Sequence, residues 1–308
     1  MKKPLVSVYC TTYNHARYIK QTISSILKQE TSFDYEIIIH DDASTDGTTR
    51  IVEELQSKHK STIRTIIQDD NQYSKGLNPF YSFVLPEVRG RYIARCEGDD
   101  YWTNVHKLQR QIEFLEANPE YVACVHNTLI VNQRTHARRL LSRAFTERDL
   151  SVSSLVRENG SFHFSSLVER REVYDDLPEF VFGVPGAGDY PLRVYLGLKG
   201  QVRYLPHVMS VYRRGVPGSW TSRCTNDCKQ RIDTTNNIIE MLKNADAWSA
   251  GKFHREFVDA IAEQRYNLDY FHKKYGNLLK APNRDIFIHK RTLRHKCNVI
   301  GRYIISNF

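Results

Sequence analysis

The sequence predicts an α/β chain: a mostly parallel central sheet with helices on both faces, followed by a helical C-terminal extension. Three observations carry this expectation. Short β-branched runs alternate with helix-period segments from residue 5 to about residue 118. Each run stops in a cluster of polar or acidic residues. From about residue 226 only helical spacing remains. The implied division is a main domain at 1–225, with halves 1–118 and 119–225, and an extension at 226–308.

Residues 5–10 form an apolar β run, broken by Thr11-Thr12-Tyr13-Asn14-His15. Ile19, Ile23, Ile26 and Leu27 then repeat at helical spacing. Residues 35–40 are too short and too β-branched for a helix and end in Asp41-Asp42-Ala43-Ser44-Thr45-Asp46-Gly47. Asp46 or Thr45 suits the N-cap of the helix that follows, with Ile51, Val52 and Leu55 on one side. Residues 62–67 read as a third strand, 79–88 as a helix, and 91–95 as a fourth strand. That strand runs into Glu97-Gly98-Asp99-Asp100-Tyr101-Trp102.

Beyond residue 118 the pattern loosens. Residues 121–131 are a long β run, 132–148 an arginine-rich surface excursion, and 161–168 a strand with a short helix from Arg170. Gly183-Val184-Pro185-Gly186-Ala187-Gly188 is a flexible loop that delivers Asp189 to a helix at 190–198, which Gly200 stops. Strands at 202–205 and 208–213 follow. Ile232, Ile239 and Leu242 mark one later helix, and Phe253, Phe257, Ile261, Leu268 and Phe271 another. Leu293, Cys297, Ile300 and Ile304 recur at helical spacing among Lys290, Arg291, Arg294, Lys296 and Arg302, with no acid from residue 286 onward.

With 308 residues, 41% hydrophobic and 26% charged, the composition is that of a globular protein with little disorder. The net charge of +9 favours an anionic partner: a phosphorylated small molecule, an anionic membrane surface or nucleic acid. No helix-turn-helix, zinc knuckle or stacking platform supports the last, so no nucleic acid is expected. The six cysteines are dispersed, which suggests buried thiols in a reducing compartment and a cytoplasmic protein. Cys224 and Cys228 lack a second pair, so a zinc site is not expected there. No apolar run reaches signal-peptide or transmembrane length.

Ligands of parallel α/β sheets bind beyond the carboxyl ends of the strands. Tyr13, Asp41, Asp42, Glu97, Asp99 and Asp100 are therefore expected on one edge. Carboxylates this close stay ionised together only in water or around a cation, which points to a hard divalent metal. A solvated turn with a capping Asp would explain the acidic triplet alone, but not its convergence with the second cluster. His163, between Phe162 and Phe164, reads as a structural histidine.

These pieces, in this order, resemble the family-2 glycosyltransferases, which are inverting enzymes of the GT-A nucleotide-diphosphosugar transferase fold. The matching stretches are Val6 to Asn14, Ile37 to Thr48, Glu97 to Trp102, and Gly188-Asp189-Tyr190, with similarity from residue 4 to about residue 221. The Glu-Gly-Asp-Asp-Tyr-Trp variant resembles bacterial enzymes that build capsule, lipopolysaccharide or related surface glycans. The resemblance implies transfer of a hexosyl or N-acetylhexosaminyl group from a UDP-sugar to a glycan or lipid-linked oligosaccharide. It implies Asp99 and Asp100 as ligands of Mn²⁺ or Mg²⁺, with Glu97 in place of the first Asp of an Asp-x-Asp motif. The longer Glu arm suits a ribose or water-mediated contact as well as direct coordination.

By the same resemblance Tyr13 packs on the base, Asp42 pairs with its imino hydrogen, and Thr11, Asp41 and Gly98 complete the nucleotide-sugar site. Arg213 and Arg214 close over the donor, and Asp189 is the base that deprotonates the acceptor hydroxyl. Lys75, read from its own stretch, either reaches the diphosphate or is a solvated lysine. The chief alternative is a catalytically inactive nucleotide-sugar-binding partner of another glycosyltransferase. The basic tail either lies on the inner face of an anionic membrane or docks on the catalytic domain or a second subunit of a homo-oligomer.

Overall fold

The computed structural model describes residues 3–156, 162–182, 184–217 and 227–307. They fall into two compact units, Met1–Gly183 with Leu192–Ser222, and Val184–Pro191 with Arg223–Phe308. The first unit is built on a ten-stranded sheet in the order β3-β2-β1-β4-β9-β6-β10-β5, with β7 paired to β6 and β8 to β10.

Strands β1 (Val6–Thr12), β2 (Tyr35–Asp41), β3 (Ile63–Ile67) and β4 (Tyr92–Glu97) are mutually parallel. Val6, Val8 and Cys10 of β1 and Ile37, Ile38 and Ile39 of β2 have no exposed surface. A parallel strand covered on both faces is continuously apolar, and these are. Helix α1 (Ile19–Leu27) buries Ile19, Ile23 and Ile26, one stripe at helical spacing. Helix α2 (Thr48–Lys58) follows β2, and α3 (Lys107–Ala117) buries Leu108, Ile112 and Leu115.

The later strands depart from simple alternation. Strands β6 (Tyr121–Asn132) and β10 (Gln201–Arg214) run parallel to each other, but β9 (Val168–Arg170) is antiparallel to both β4 and β6 and joins them. Strand β5 (Tyr101–Trp102) pairs antiparallel with β10, and β7 (Arg138–Leu140) and β8 (Arg148–Asp149) lie in the basic excursion. The two strands expected at 202–213 are one, β10, with a register shift between Leu205 and Val208, next to Pro206. Residues 164–166 form a 3-10 turn rather than strand. The helix expected at 79–88 is a π turn (Phe80–Val84) continued by a 3-10 turn (Leu85–Glu87), because Pro86 lacks the donor an α-helix needs there. Two short segments complete this unit, α4 (Val152–Val156) and α5 (Tyr190–Lys199), whose first two residues belong to the second unit.

Two buried cations lie behind the strand ends. Arg95 of β4 pairs with Glu169 of β9 at 2.6 Å and donates to the Tyr174 hydroxyl at 2.6 Å, beneath the rings of Phe80 and Phe164. Lys107 places Nζ 4.0 Å from the centre of the Trp102 ring and finds no hydrogen-bond partner among the described residues. Burial pulls its amine down from 10.5 to about 7. Cys10, Cys96 and Cys124 are buried free thiols.

The second unit is helical: α6 (Cys228–Trp248), α7 (His254–Phe271) and α8 (Leu293–Asn307), with short turns between the last two. Asp227 caps α6, accepting from the amides of Lys229 and Gln230. Tyr266, Tyr275, Leu278, Ile286, Phe287 and Val299 form its core. No helix among the described residues is long and apolar enough to cross a membrane. Cys224 and the stretch 218–221 lie outside the described residues.

Glu169→Ala leaves Arg95 charged and buried without its counter-ion, so it is expected to cost about 3–5 kcal/mol in urea unfolding. A loss below about 1 kcal/mol would show the pair to be dispensable. Lys107 gives a pH signature. From about pH 7 upward the unfolded chain holds the Lys107 proton while the folded chain sheds it. Stability from this residue therefore rises with pH, by up to about 1.4 kcal/mol per unit. Lys107→Met is expected to remove that slope, read as a difference between the two stability–pH curves from pH 7 to 9.

Candidate active site

The parallel register sets the site. Thr11 is opposite Glu97, and Thr12 is opposite Asp41, so the three strand ends share one edge. The turns beyond them interlock. The Asn14 amide donates to Ser44 Oγ at 2.9 Å, and the Thr45 amide donates to Asn14 Oδ1 at 2.7 Å. Asn14 and Ala43 sit in the left-handed region at φ of 58° and 64°. Two non-glycine residues held there mark a turn fixed by its neighbours.

Asp41 and Asp42 divide the work of that turn. Asp41 is fully buried and accepts from Ser44 Oγ at 2.5 Å and Thr49 Oγ1 at 2.6 Å. Its carboxylate shapes the loop from beneath. Asp42 accepts from the amides of Gln72 at 2.8 Å and Tyr73 at 3.1 Å, which anchors the 3-10 turn Tyr73–Lys75 to the strand edge. Lys75 is thereby held near this edge, in an exposed ion pair with Asp70 at 2.9 Å. Tyr13 is half-buried in the first turn, and the Thr11 carbonyl accepts from the Gly98 amide at 2.8 Å.

Gly98 has no room for a side chain. A Cβ there would lie 2.7 Å from Thr12 Oγ1, 2.8 Å from His15 Nδ1 and 2.9 Å from the Thr11 carbonyl. The turn that Gly98 begins is closed by the Asp100 amide, which donates to the Glu97 carbonyl at 2.9 Å. Asp100 is completely buried, accepting from Ser165 Oγ at 2.7 Å and from the Arg213 amide at 3.0 Å. Burial, and then the neighbouring Asp99 charge, hold its acid well above the usual carboxylate range.

His163 is where the sequence reading and the structure part. It lies 3.6 Å from Glu97 Oε2 through Nε2 and 3.4 Å from Asp100 Oδ2 through Nδ1. Its ring stacks on Tyr212 of β10, with centroids 4.2 Å apart. Ligand atoms of Glu97, Asp100 and His163 all lie within 4.8 Å of one another. Asp99, expected beside Asp100 as a metal ligand, turns instead to His15 at 3.9 Å and stands outside this group of three.

Arg213 also departs from expectation. Its guanidinium is buried, donating to the Asp99 carbonyl and to Gln21, and it packs on the rings of Tyr18 and Tyr101. It braces the acidic loop from within. Arg214, the next residue on the strand, points the other way and is exposed. Asp189 immediately precedes α5, in the segment counted with the second unit. Its loop is held there, with Pro185 accepting from Asn237 at 3.2 Å and Gly186 packed against Thr234.

Ser165 and Gln21 were not expected in the site. Ser165 accepts from the Glu97 amide at 3.1 Å, and its carbonyl accepts from the Trp102 indole at 3.0 Å. The run Ser161-Phe162-His163-Phe164-Ser165-Ser166 holds the only available signal, polar groups between aromatics. Two carboxylates and an imidazole converging beside a third carboxylate form a donor set that fits a divalent cation.

The model of Glycosyl transferase family 2 matches residues 7–177. An uncharacterised protein of Mycobacterium tuberculosis is 34% identical over 221 residues, 72% of this chain and 62% of its own length. The chain thus spans about three fifths of that relative. Escherichia coli WfaP, a UDP-Glc:alpha-D-GlcNAc-diphosphoundecaprenol beta-1,3-glucosyltransferase, is 38% identical over 112 residues, 36% of this chain and 41% of WfaP.

Among solved structures, Staphylococcus aureus TarS 1-349 with UDP-GlcNAc aligns at a TM-score of 0.64 and 19% identity, covering 97% of this chain and 80% of that one. The Pyrobaculum calidifontis mannosyltransferase PcManGT, with GDP-Man and Mn²⁺, aligns at 0.53 and 17% identity over 99% of this chain and 87% of that one. These likenesses establish the GT-A fold. By its sequence match, the chain belongs to glycosyltransferase family 2.

Proposed function

We propose that this protein is a metal-dependent, inverting glycosyltransferase. It moves a hexosyl or N-acetylhexosaminyl group from a UDP-sugar to a hydroxyl of a glycan or lipid-linked acceptor, in capsule, lipopolysaccharide or related surface-glycan synthesis. The observation that carries the reading is the convergence of Glu97, Asp100 and His163 on the strand edge that also bears Tyr13 and Asp42. The donor and acceptor named for WfaP support the substrate class.

Glu97, Asp100 and His163 would hold the cation, and one imidazole among carboxylates favours Mn²⁺ over Mg²⁺. Such an ion, when bound, offsets the negative charge that builds on the departing diphosphate. Asp99, next in sequence to Asp100, would add its negative charge beside this set. Tyr13 packs on the uracil ring. The Asp42 oxygens, each holding one backbone amide, keep lone pairs for the base's imino hydrogen. Thr11 and the Gly98 backbone line the ribose, Asp41 sets the loop that carries Asp42, and Lys75 and Arg214 supply positive charge for the phosphates.

In the reaction the acceptor oxygen bonds to the anomeric carbon from the face opposite the diphosphate. The carbon–oxygen bond to the diphosphate breaks, and Asp189 takes the acceptor's proton. Asp189 stands immediately before the N-terminus of α5. Arg213 acts by position, fixing the Asp99 carbonyl and, through its amide, the Asp100 carboxylate.

UDP binding measured by calorimetry is expected to need Mn²⁺ and to vanish with EDTA. His163→Ala should weaken the metal-dependent part by roughly tenfold or more. Equal UDP affinity with and without metal would overturn the metal assignment, and GDP binding in place of UDP would move the donor class. Asp189→Asn should lower sugar transfer about 10²–10⁴-fold while leaving UDP affinity near wild type. Unchanged turnover in that variant would remove Asp189 as the base. UDP binding without turnover in the wild type, across a panel of UDP-sugars and acceptors, would favour a binding partner over an enzyme.

A further inference from the structure

Helix α8 in the second unit carries two apolar faces. One is used within the unit, where Val299 is fully buried and Tyr303 packs against the same core. The other is Leu293, Cys297, Ile300 and Ile304, spaced i, i+4, i+7 and i+11. At 3.6 residues per turn they lie within about 60° of one another, roughly 110° around the helix from Val299 and Tyr303. This second stripe faces solvent, with Leu293 77%, Ile300 43% and Ile304 50% exposed. Cys297 is exposed with them.

The charge around the stripe has one sign. Residues 286–308 hold five Lys or Arg and no Asp or Glu. Lys290 is paired with Glu263 at 2.7 Å. The other four meet no carboxylate among the described residues. Arg291 donates to Asn267 at 2.9 Å, Lys296 to the Ile288 carbonyl at 2.5 Å, and Arg302 to Asn298 at 2.9 Å, all neutral partners. Arg294 borders the stripe on one side and Lys296 on the other.

We propose that this face of α8 lies in the plane of an anionic lipid surface, with the stripe at the headgroup–acyl boundary and the basic borders on the headgroups. A second copy of the chain is the less favourable occupant, because it would bring eight unneutralised cations together. The helix is also unsuited to crossing a bilayer. The inference deepens the proposed function, since a lipid-linked acceptor is presented at such a surface, but the contact itself needs no sugar nucleotide.

The test is co-flotation of the full chain with vesicles of phosphatidylcholine alone, or of phosphatidylcholine and phosphatidylglycerol in equal parts. Wild type is expected to float with the anionic vesicles roughly tenfold or more better than with the neutral ones, and to release in high salt. A variant with Leu293→Ser, Ile300→Ser and Ile304→Ser, all at exposed positions, should lose flotation, and Arg294→Glu with Lys296→Glu should do the same. UDP binding measured on the same samples separates the two readings, because it should be unchanged in every variant. No flotation, equal flotation with both vesicle types, or flotation unaffected by these variants would overturn the lipid surface. So would a concentration-dependent dimer that the triple-serine variant abolishes, which would assign the stripe to a second copy.

Discussion

The site depends on keeping one carboxylate, Asp100, in a place where water cannot reach it. Burying an ionised carboxylate is costly unless other groups satisfy its oxygens. Here Ser165 takes one oxygen and the Arg213 amide the other, so three distant segments meet on a single side chain. The Thr22 hydroxyl adds bonds to the Gly98 and Asp100 carbonyls at 2.9 and 2.5 Å, tying α1 to the same loop. What remains is an acidic site with fixed geometry, whose buried carboxyl group a cation would help to ionise.

Around that loop, several polar residues work as scaffold. Asp41 orders the turn that presents Asp42, and Arg213 braces the Asp99 carbonyl from inside. His15 is half-buried beside Asp99, and desolvation keeps its imidazole below the ordinary value for histidine. This is pre-organisation: side chains locked by their neighbours hold the reactive groups in place before any ligand arrives.

Much of this was legible in the sequence, for a physical reason. Parallel strands flanked by helices leave strong periodic signals, and topology then brings their carboxyl ends together, so the placing of Asp41, Asp42 and Glu97 on one edge follows from the sequence alone. Direction was harder. Arg213 and Arg214 are adjacent in sequence, and only the pleat decides that one is buried and the other exposed. His163 was missed because its partners, Glu97 and Asp100, are more than sixty positions away and a lone histidine between aromatics has no period. Pro86 and the register shift near Pro206 broke patterns that read as regular elements.

Strand β9 carries a consequence for the chain's history and its engineering. The sequence suggests a nucleotide half ending near residue 118 and an acceptor half after it. Yet β9, from the later half, is inserted beside β4 and brings Glu169 to Arg95, while the turn before it brings His163 and Ser165 to the acidic loop. The halves are therefore not modules. A second half grafted from another chain would arrive with a different turn and a different counter-ion, and would change the surroundings of the acidic loop as well. To keep these contacts, a chimera would have to move residues 163–170 together with residues 92–102.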